Sequence, residues 1–168
     1  YSGRTGLKTG SSSLALYNVS GSATRDNLSL IAVIMKAPTS AIRFEEASKL
    51  LDYGFTNFSY SSFGNQGDVV KSISVAKGVD SEVNCIYETS PSFLIKKGEE
   101  SGITYELNLS ESVQAPVEQG QSLGSVTYYL NGNKLDSVNL VAENSVNKID
   151  LMNMTKHIFS KWFSLLRI

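Results

Sequence analysis

Lys8-Thr9-Gly10, inside the run GRTGLKTGSSS at residues 3–13, is the stretch of this chain with the clearest chemical potential. As a bare tripeptide it is weak, because all three residues are common; alone it reads as a strand edge ending in a turn. Other chemistry is thinly supplied. Cys85 is the only cysteine, so neither an intrachain disulfide nor a cysteine metal site can be built. His157 is the only histidine, and it lies in a C-terminal segment with another evident purpose, which argues against a Ser-His-Asp triad. Glu45, Glu46 and Asp52 read as the solvated face of a helix, not as paired catalytic carboxylates. Asn18, Asn27, Asn57, Asn108 and Asn153 each open an Asn-x-Ser/Thr triplet, which we read as incidental.

The elements that must position these residues fall into three regions. The chain has 168 residues, enough for one domain or two small ones. It is 41% hydrophobic and 18% charged with a formal net charge of −1, so it lacks the basic field of a nucleic-acid-binding protein. No apolar run is long enough to span a bilayer, and the opening residues carry no apolar leader. The chain opens on Tyr1, within what reads as a loop running into a strand.

Residues 1–60 read as strand, strand, strand, helix. Leu14 to Thr24 suits a central strand, Arg25-Asp26-Asn27 a polar turn, and Leu28 to Met35 a strand buried on both faces. After Pro38, Phe44, Ala47, Leu50, Leu51 and Phe55 fall near helical spacing, and Gly54 marks the expected C-terminal end. Residues 61–145 change character. Short runs at Val69–Val75, Val83–Tyr87, Phe93–Ile95, Ile103–Leu109, Ser125–Leu130 and Lys134–Val141 predict an all-β sandwich domain. Asn131-Gly132 predicts a tight hairpin between the last two, because that pair accepts positive φ. Cys85 is expected to be a buried structural thiol.

Residues 146–168 predict an amphipathic helix. Leu151, Met154, Ile158, Phe159, Trp162, Phe163 and Leu166 share about half of a helical wheel, opposite Lys156, Lys161 and Arg167. A Trp/Phe/Leu face opposed to a basic face is what an in-plane membrane anchor needs. A C-terminal helix docked on a core, or a partner-binding helix, is the alternative.

Taken in order, GLKTG, YNVSGSATR, LSLIAVIM and RFEEASKLLDYGF resemble the end of the catalytic domain of serine-type D-Ala-D-Ala carboxypeptidases, the low-molecular-mass penicillin-binding proteins. APVEQGQSLGSVTYYLNGNKL resembles the β domain that follows in that family, and the tail resembles its membrane anchor. The resemblance covers essentially the whole chain. It implies an α+β class: three antiparallel strands and a helix at the edge of a transpeptidase-like domain, then a small all-β sandwich and an anchor helix. It implies acylation of a serine by a peptidoglycan stem peptide ending in D-Ala-D-Ala, then hydrolysis. Within that scheme Lys8 supplies charge to the cleft and helps position the substrate carboxylate. Thr9 donates a hydroxyl to the same carboxylate, Gly10 admits the substrate close to the strand, and the Ser11 N–H is an oxyanion-hole donor. Arg43 helps recognise the terminal carboxylate, where the residues alone would leave it a solvated arginine at a helix start. The resemblance further implies no metal or organic cofactor, inhibition by beta-lactams, and a peripheral place on the outer face of a bacterial cytoplasmic membrane.

Three positions depart from the family pattern. Ser11 stands where relatives often carry His or Tyr; Leu16 and Lys36 stand where Gly is frequent. The nucleophilic serine, its lysine and the Ser-x-Asn element are expected upstream of this chain, which alone is expected to be inactive. Ser74-Val75-Ala76-Lys77, Ser145-Val146-Asn147-Lys148 and Ser137-Val138-Asn139 match those motifs in form only. Ser74 falls in an expected β-domain strand, and Ser145 suits the cap of the tail helix. A non-catalytic, membrane-tethered cell-wall binding module is the competing function. A beta-lactamase relative shares Lys-Thr-Gly but leaves the β domain and tail unexplained. The 1–60 fragment is expected to expose a sheet face.

Overall fold

The computed structural model describes residues 1–150 together with Met154, Thr155, Phe159 and Trp162. It divides into two compact units, residues 1–61 with 94–101, and residues 62–93 with the rest.

Unit 1 is built on a three-stranded antiparallel sheet in the order β1-β2-β3: β1 (Arg4–Ser12), β2 (Leu16–Arg25) and β3 (Leu28–Ala37). The helix α1 (Ser40–Asn57) follows directly. It starts where Thr39, in extended backbone, accepts the Ile42 N–H on its hydroxyl at 3.2 Å, satisfying one of the orphan donors of the first turn. Ala47 and Leu51 of α1 pack on Val19, Ala23 and Ala32 of the sheet, with Leu30, Ile34 and Phe55 around them. A two-stranded ladder of β4 (Phe58–Ser62) with β7 (Ser92–Lys96) follows the helix.

Two expectations for unit 1 need correction. β3 is buried on one face only. Leu28, Ala32 and Ala37 are buried, whereas Ile31 is 73% and Met35 77% exposed. Its apolar run is continuous, but only α1 covers it among the described residues. Gly54 does not end the helix. It is buried inside α1, where an added Cβ would run into Leu30 Cδ1, and the helix closes three residues later when the Phe58 N–H bonds the Gly54 carbonyl.

Unit 2 contains a six-stranded sheet in the order β8-β10-β11-β6-β5-β9. The strands are β5 (Val69–Ala76), β6 (Glu82–Tyr87), β8 (Ile103–Leu109), β9 (Ser112–Gln114), β10 (Ser122–Leu130) and β11 (Asn133–Ala142). All pairings are antiparallel except β5 with β9. The expectation of a sandwich thus becomes one continuous sheet. β11 meets β6 only through Leu140–Ala142, and residues of both halves share one core: Ile73, Val75, Val83 and Cys85 with Val126, Tyr128, Val138 and Leu140. The turn at Asn131-Gly132 is as expected, with φ of 50° and 81° between paired Leu130 and Asn133. Tyr128 anchors the aromatic side of this core, its ring centroid 5.0 Å from Phe93, and its hydroxyl is 2.7 Å from that of Tyr87.

The tail also begins differently. Val146 is not helical: it is buried in the unit 2 core and bridges Val117, with N···O distances of 2.9 and 2.8 Å. Ser145 caps no helix; its hydroxyl accepts the Gln119 N–H at 2.9 Å. The anchor positions Leu151, Ile158, Phe163 and Leu166 lie outside the described residues. Met154, Phe159 and Trp162 are helical and exposed. Among the described residues no helix is long and apolar enough to cross a membrane.

Candidate functional site

β1 is an edge strand, paired only with β2 among the described residues. The register sets Lys8 against Ser20, Thr9 against Val19, Gly10 against Asn18 and Ser11 against Tyr17. Partners across an antiparallel ladder share a face. Val19 is buried beneath α1, so Thr9 lies on the helix side of the sheet and Lys8 on the other. Lys8 and Thr9 are exposed, and neither side chain has a hydrogen-bond or charged partner among the described residues. Ser11 lines a hollow of about 280 Å³ at the β1–β2 turn, with Ser12, Ser13, Leu16 and Tyr17. A separate, largely apolar cavity of about 250 Å³ lies on the α1 side of β1, lined by Leu7, Gly21, Phe44, Ala47 and Leu51 among others.

Gly10 differs from a structural glycine. A Cβ added there would meet nothing within 4 Å, and its φ is not in the left-handed range. The chain's own packing therefore gives no reason for glycine at this position. A ligand approaching the free edge does give one.

Arg43 sits in the first turn of α1 and is half-buried. Its Nη1 donates to the main-chain carbonyl of Asn18 at 3.2 Å, and its Nη2 to the Ser40 hydroxyl at 3.0 Å. The guanidinium carbon lies 4.8 Å from the centroid of the Phe44 ring and 5.5 Å from that of Tyr17. Nε is buried and has no partner among the described residues. No carboxylate pairs with Arg43 among them either. Asn18 is the ladder partner of Gly10, so the structure seats Arg43 on the residue beside the Lys8-Thr9-Gly10 strand. Lys8 and Arg43 thus lie on opposite faces of the sheet, and neither has an anionic partner among the described residues.

Sequence reasoning did not anticipate Ser40 and Tyr17 as partners of Arg43. The i, i+3 spacing of Ser40 and Arg43 on a helix was the available signal for the first. Tyr17 is distant in sequence and needed the fold. Ser74 and Ser145 stand in unit 2, on β5 and beside the Val146 bridge, and neither motif match gathers a cleft. Among the described residues no three of His, Cys, Asp and Glu gather as a metal ion would need.

Comparison with known proteins places the chain in a family. Residues 58–148 match the family described as "Penicillin-binding protein 5, C-terminal domain". The D-alanyl-D-alanine carboxypeptidase DacA of Haemophilus influenzae is 36% identical over 143 residues, 84% of this chain and 36% of that protein. The D-alanyl-D-alanine carboxypeptidase DacC of Escherichia coli K12 is 32% identical over 168 residues, 95% of this chain and 42% of that protein. The solved structure of penicillin-binding protein 5 from Haemophilus influenzae superposes with a TM-score of 0.67 at 35% identity, covering 84% of this chain and 42% of that one. PBP3 of Streptococcus pneumoniae, a peptidoglycan synthesis regulatory factor, shares the fold with a TM-score of 0.65 at 23% identity, covering 88% of this chain and 44% of that one. The chain thus spans about two-fifths of the length of these relatives. With more than half of its residues inside the matched domain, the chain belongs to the penicillin-binding protein 5 C-terminal domain family.

Proposed function

We propose that this chain is the C-terminal part of a serine-type D-Ala-D-Ala carboxypeptidase that trims peptidoglycan stem peptides. The observation that carries the reading is Gly10. Among the described residues no contact or positive φ calls for glycine there, and β1 pairs only with β2; Gly10 follows directly on Lys8 and Thr9. Residues 1–60 would complete a catalytic domain whose serine lies in an upstream region. Residues 61–145 would be its β domain. The segment after Asp150 would hold the protein at the outer face of the cytoplasmic membrane.

The chemistry divides as follows. The upstream serine hydroxyl attacks the carbonyl of the penultimate D-Ala, and its proton passes to the departing amine. The C–N bond breaks, D-Ala leaves, and water then hydrolyses the serine ester. The peptide lies along the free edge of β1, as an added strand does. Lys8 and Thr9 meet its terminal carboxylate, Arg43 adds positive charge from behind β2, and the Ser11 N–H faces the developing oxyanion. No step needs a metal.

The test uses the full-length protein with its upstream region. It should take up one equivalent of a fluorescent penicillin covalently and release D-Ala from a D-Ala-D-Ala peptide. Lys8→Met should lower kcat/KM by about 10³-fold, close to 4 kcal/mol of transition-state stabilisation. Its melting temperature should stay unchanged, because Lys8 is an exposed side chain without partners among the described residues. A full-length protein that takes no penicillin label and releases no D-Ala would leave the tethered binding module in its place.

A further inference from the structure

Asn18 holds together the end of the sheet on which this site depends. Tyr17 pairs with Ala37 but Val19 pairs with Ile34, so β3 carries one extra residue past Asn18. This is a β-bulge, and Lys36 within it has φ of 61°. Across the sheet, the β1–β2 turn ends on Leu16, with φ of 50°. Left-handed backbone is unfavourable for both, because the Cβ crowds the following carbonyl. The Asn18 side chain reaches both places. Its Oδ1 accepts the Lys36 N–H at 2.9 Å, and its Nδ2 donates to the carbonyls of Ala15 at 3.0 Å and Leu16 at 3.3 Å. Its main-chain carbonyl accepts Arg43 Nη1. Its ladder partner is Gly10. The Asn-x-Ser triplet that Asn18 opens is therefore explained by local structure: the amide is already engaged.

We propose that Asn18 is a positioning residue for carboxylate recognition: its side-chain amide holds Leu16 and Lys36 in left-handed backbone and so fixes the carbonyl that seats Arg43 beside Gly10. The proposal rests on the carboxypeptidase reading. Its distinguishing consequence is that the clamp matters only while residues 16 and 36 resist their conformation. Glycine at both positions adopts that backbone without help, so it should make the clamp dispensable.

The experiment measures kcat and KM of the full-length protein on two substrates. One is an acylated D-Ala-D-Ala peptide; the other is a D-Ala thioester whose leaving group has no carboxylate. Asn18→Ala should raise KM for the peptide about tenfold, the scale expected when a binding group is misplaced by a fraction of an ångström. The thioester should change less than about twofold. Adding Leu16→Gly and Lys36→Gly to Asn18→Ala should restore most of the peptide KM. Equal losses on both substrates, no loss, or no recovery in the triple variant would each overturn the proposal. If the alanine variant does not fold, Asn18→Ser carries the test, since it adds no charge and a single short hydroxyl cannot make the amide's three bonds to Lys36, Ala15 and Leu16. A raised KM confined to the peptide supports the clamp; an unchanged KM or a parallel loss overturns it. A wild-type protein inactive on both substrates and unlabelled by penicillin would remove the carboxypeptidase reading itself, and this is visible before any variant is made.

Discussion

In unit 2, Gly78 and Gly124 stand where the chain's own atoms leave no room, and Gly67, Gly120 and Gly132, which have room, take positive φ. A Cβ at Gly78 would come within 2.7 Å of the Asp80 carbonyl oxygen and of Val75, and one at Gly124 would run into the carbonyl of Asn108. In unit 1, Gly10 stands in open space. The contrast extends to strain. Unit 1 holds two residues, Leu16 and Lys36, in left-handed backbone at one end of its sheet; unit 2 holds Lys77 so, while its tight hairpin uses Asn131 and Gly132, residues that tolerate it. At the Asn131-Gly132 hairpin of unit 2, local preference and turn chemistry point the same way. In unit 1 they conflict at Leu16 and Lys36, at the end of the sheet that carries Gly10 and the Asn18 carbonyl seating Arg43. Such conflicts are the expected mark of a functional site, because a fold under no other demand would remove them.

The largest test of this contrast is in the core of unit 2. Leu140 is fully buried on β11 among Val126, Tyr128 and Cys85. Leu140→Ala should cost about 3 kcal/mol, from lost transfer energy and the cavity left behind. Denaturant unfolding of the purified chain would read this as a lower midpoint. A cost below about 1 kcal/mol would mean that the core closes around the gap, and that unit 2 is less tightly determined than its burial indicates.

Gly10→Ala should behave in the opposite way. The added methyl meets nothing in the chain, and alanine in a strand loses less entropy on folding than glycine, so stability should hold or rise by up to about 1 kcal/mol. Penicillin acylation of the full-length protein should nonetheless fall about tenfold, because the methyl occupies the path of an approaching ligand. Unchanged acylation would make Gly10 an ordinary strand residue and remove the main support for a ligand on β1.

What the sequence made legible follows the same division. Ile103–Leu109 and the Asn131-Gly132 turn were readable because their signals are local: apolar alternation and a turn pair that accepts positive φ. β9, three residues paired in parallel with β5, is too short for any period to show. In unit 1 the Leu28–Met35 run was read as buried on both faces. An apolar run records that a strand favours burial, not what covers it, and only α1 does so among the described residues. Gly54 satisfied a helix-stop rule, yet the close approach of Leu30 explains it better. Leu16 and Lys36 were visible as departures from a glycine pattern. Only the backbone shows that both positions take a left-handed conformation, and that Asn18 touches both. Hydrogen bonds of this kind, set by a bulge register, leave no periodic trace in sequence.

The smallest expected effect concerns two side chains of opposite exposure, Lys8 in unit 1 and Cys85 in unit 2. Lys8 is exposed; Cys85 has no exposed surface, and burial pushes its thiol above the ordinary range, against a weaker downward pull from Lys71. The folded state therefore favours the protonated thiol. The stability this contributes is fully present below the thiol pKa of the unfolded chain, about 8.5, and is lost as pH rises through the higher folded value. Iodoacetamide should thus leave Cys85 of the folded protein unmodified at pH 8 and label it promptly once denaturant exposes it. Cys85→Ala should flatten the decline in stability above pH 8.5 by a small amount while leaving penicillin acylation untouched. Prompt labelling of the folded protein at pH 8 would show that the unit 2 core opens readily. The contrast between a closed, self-sufficient unit 2 and an open-edged unit 1 would then have to be withdrawn.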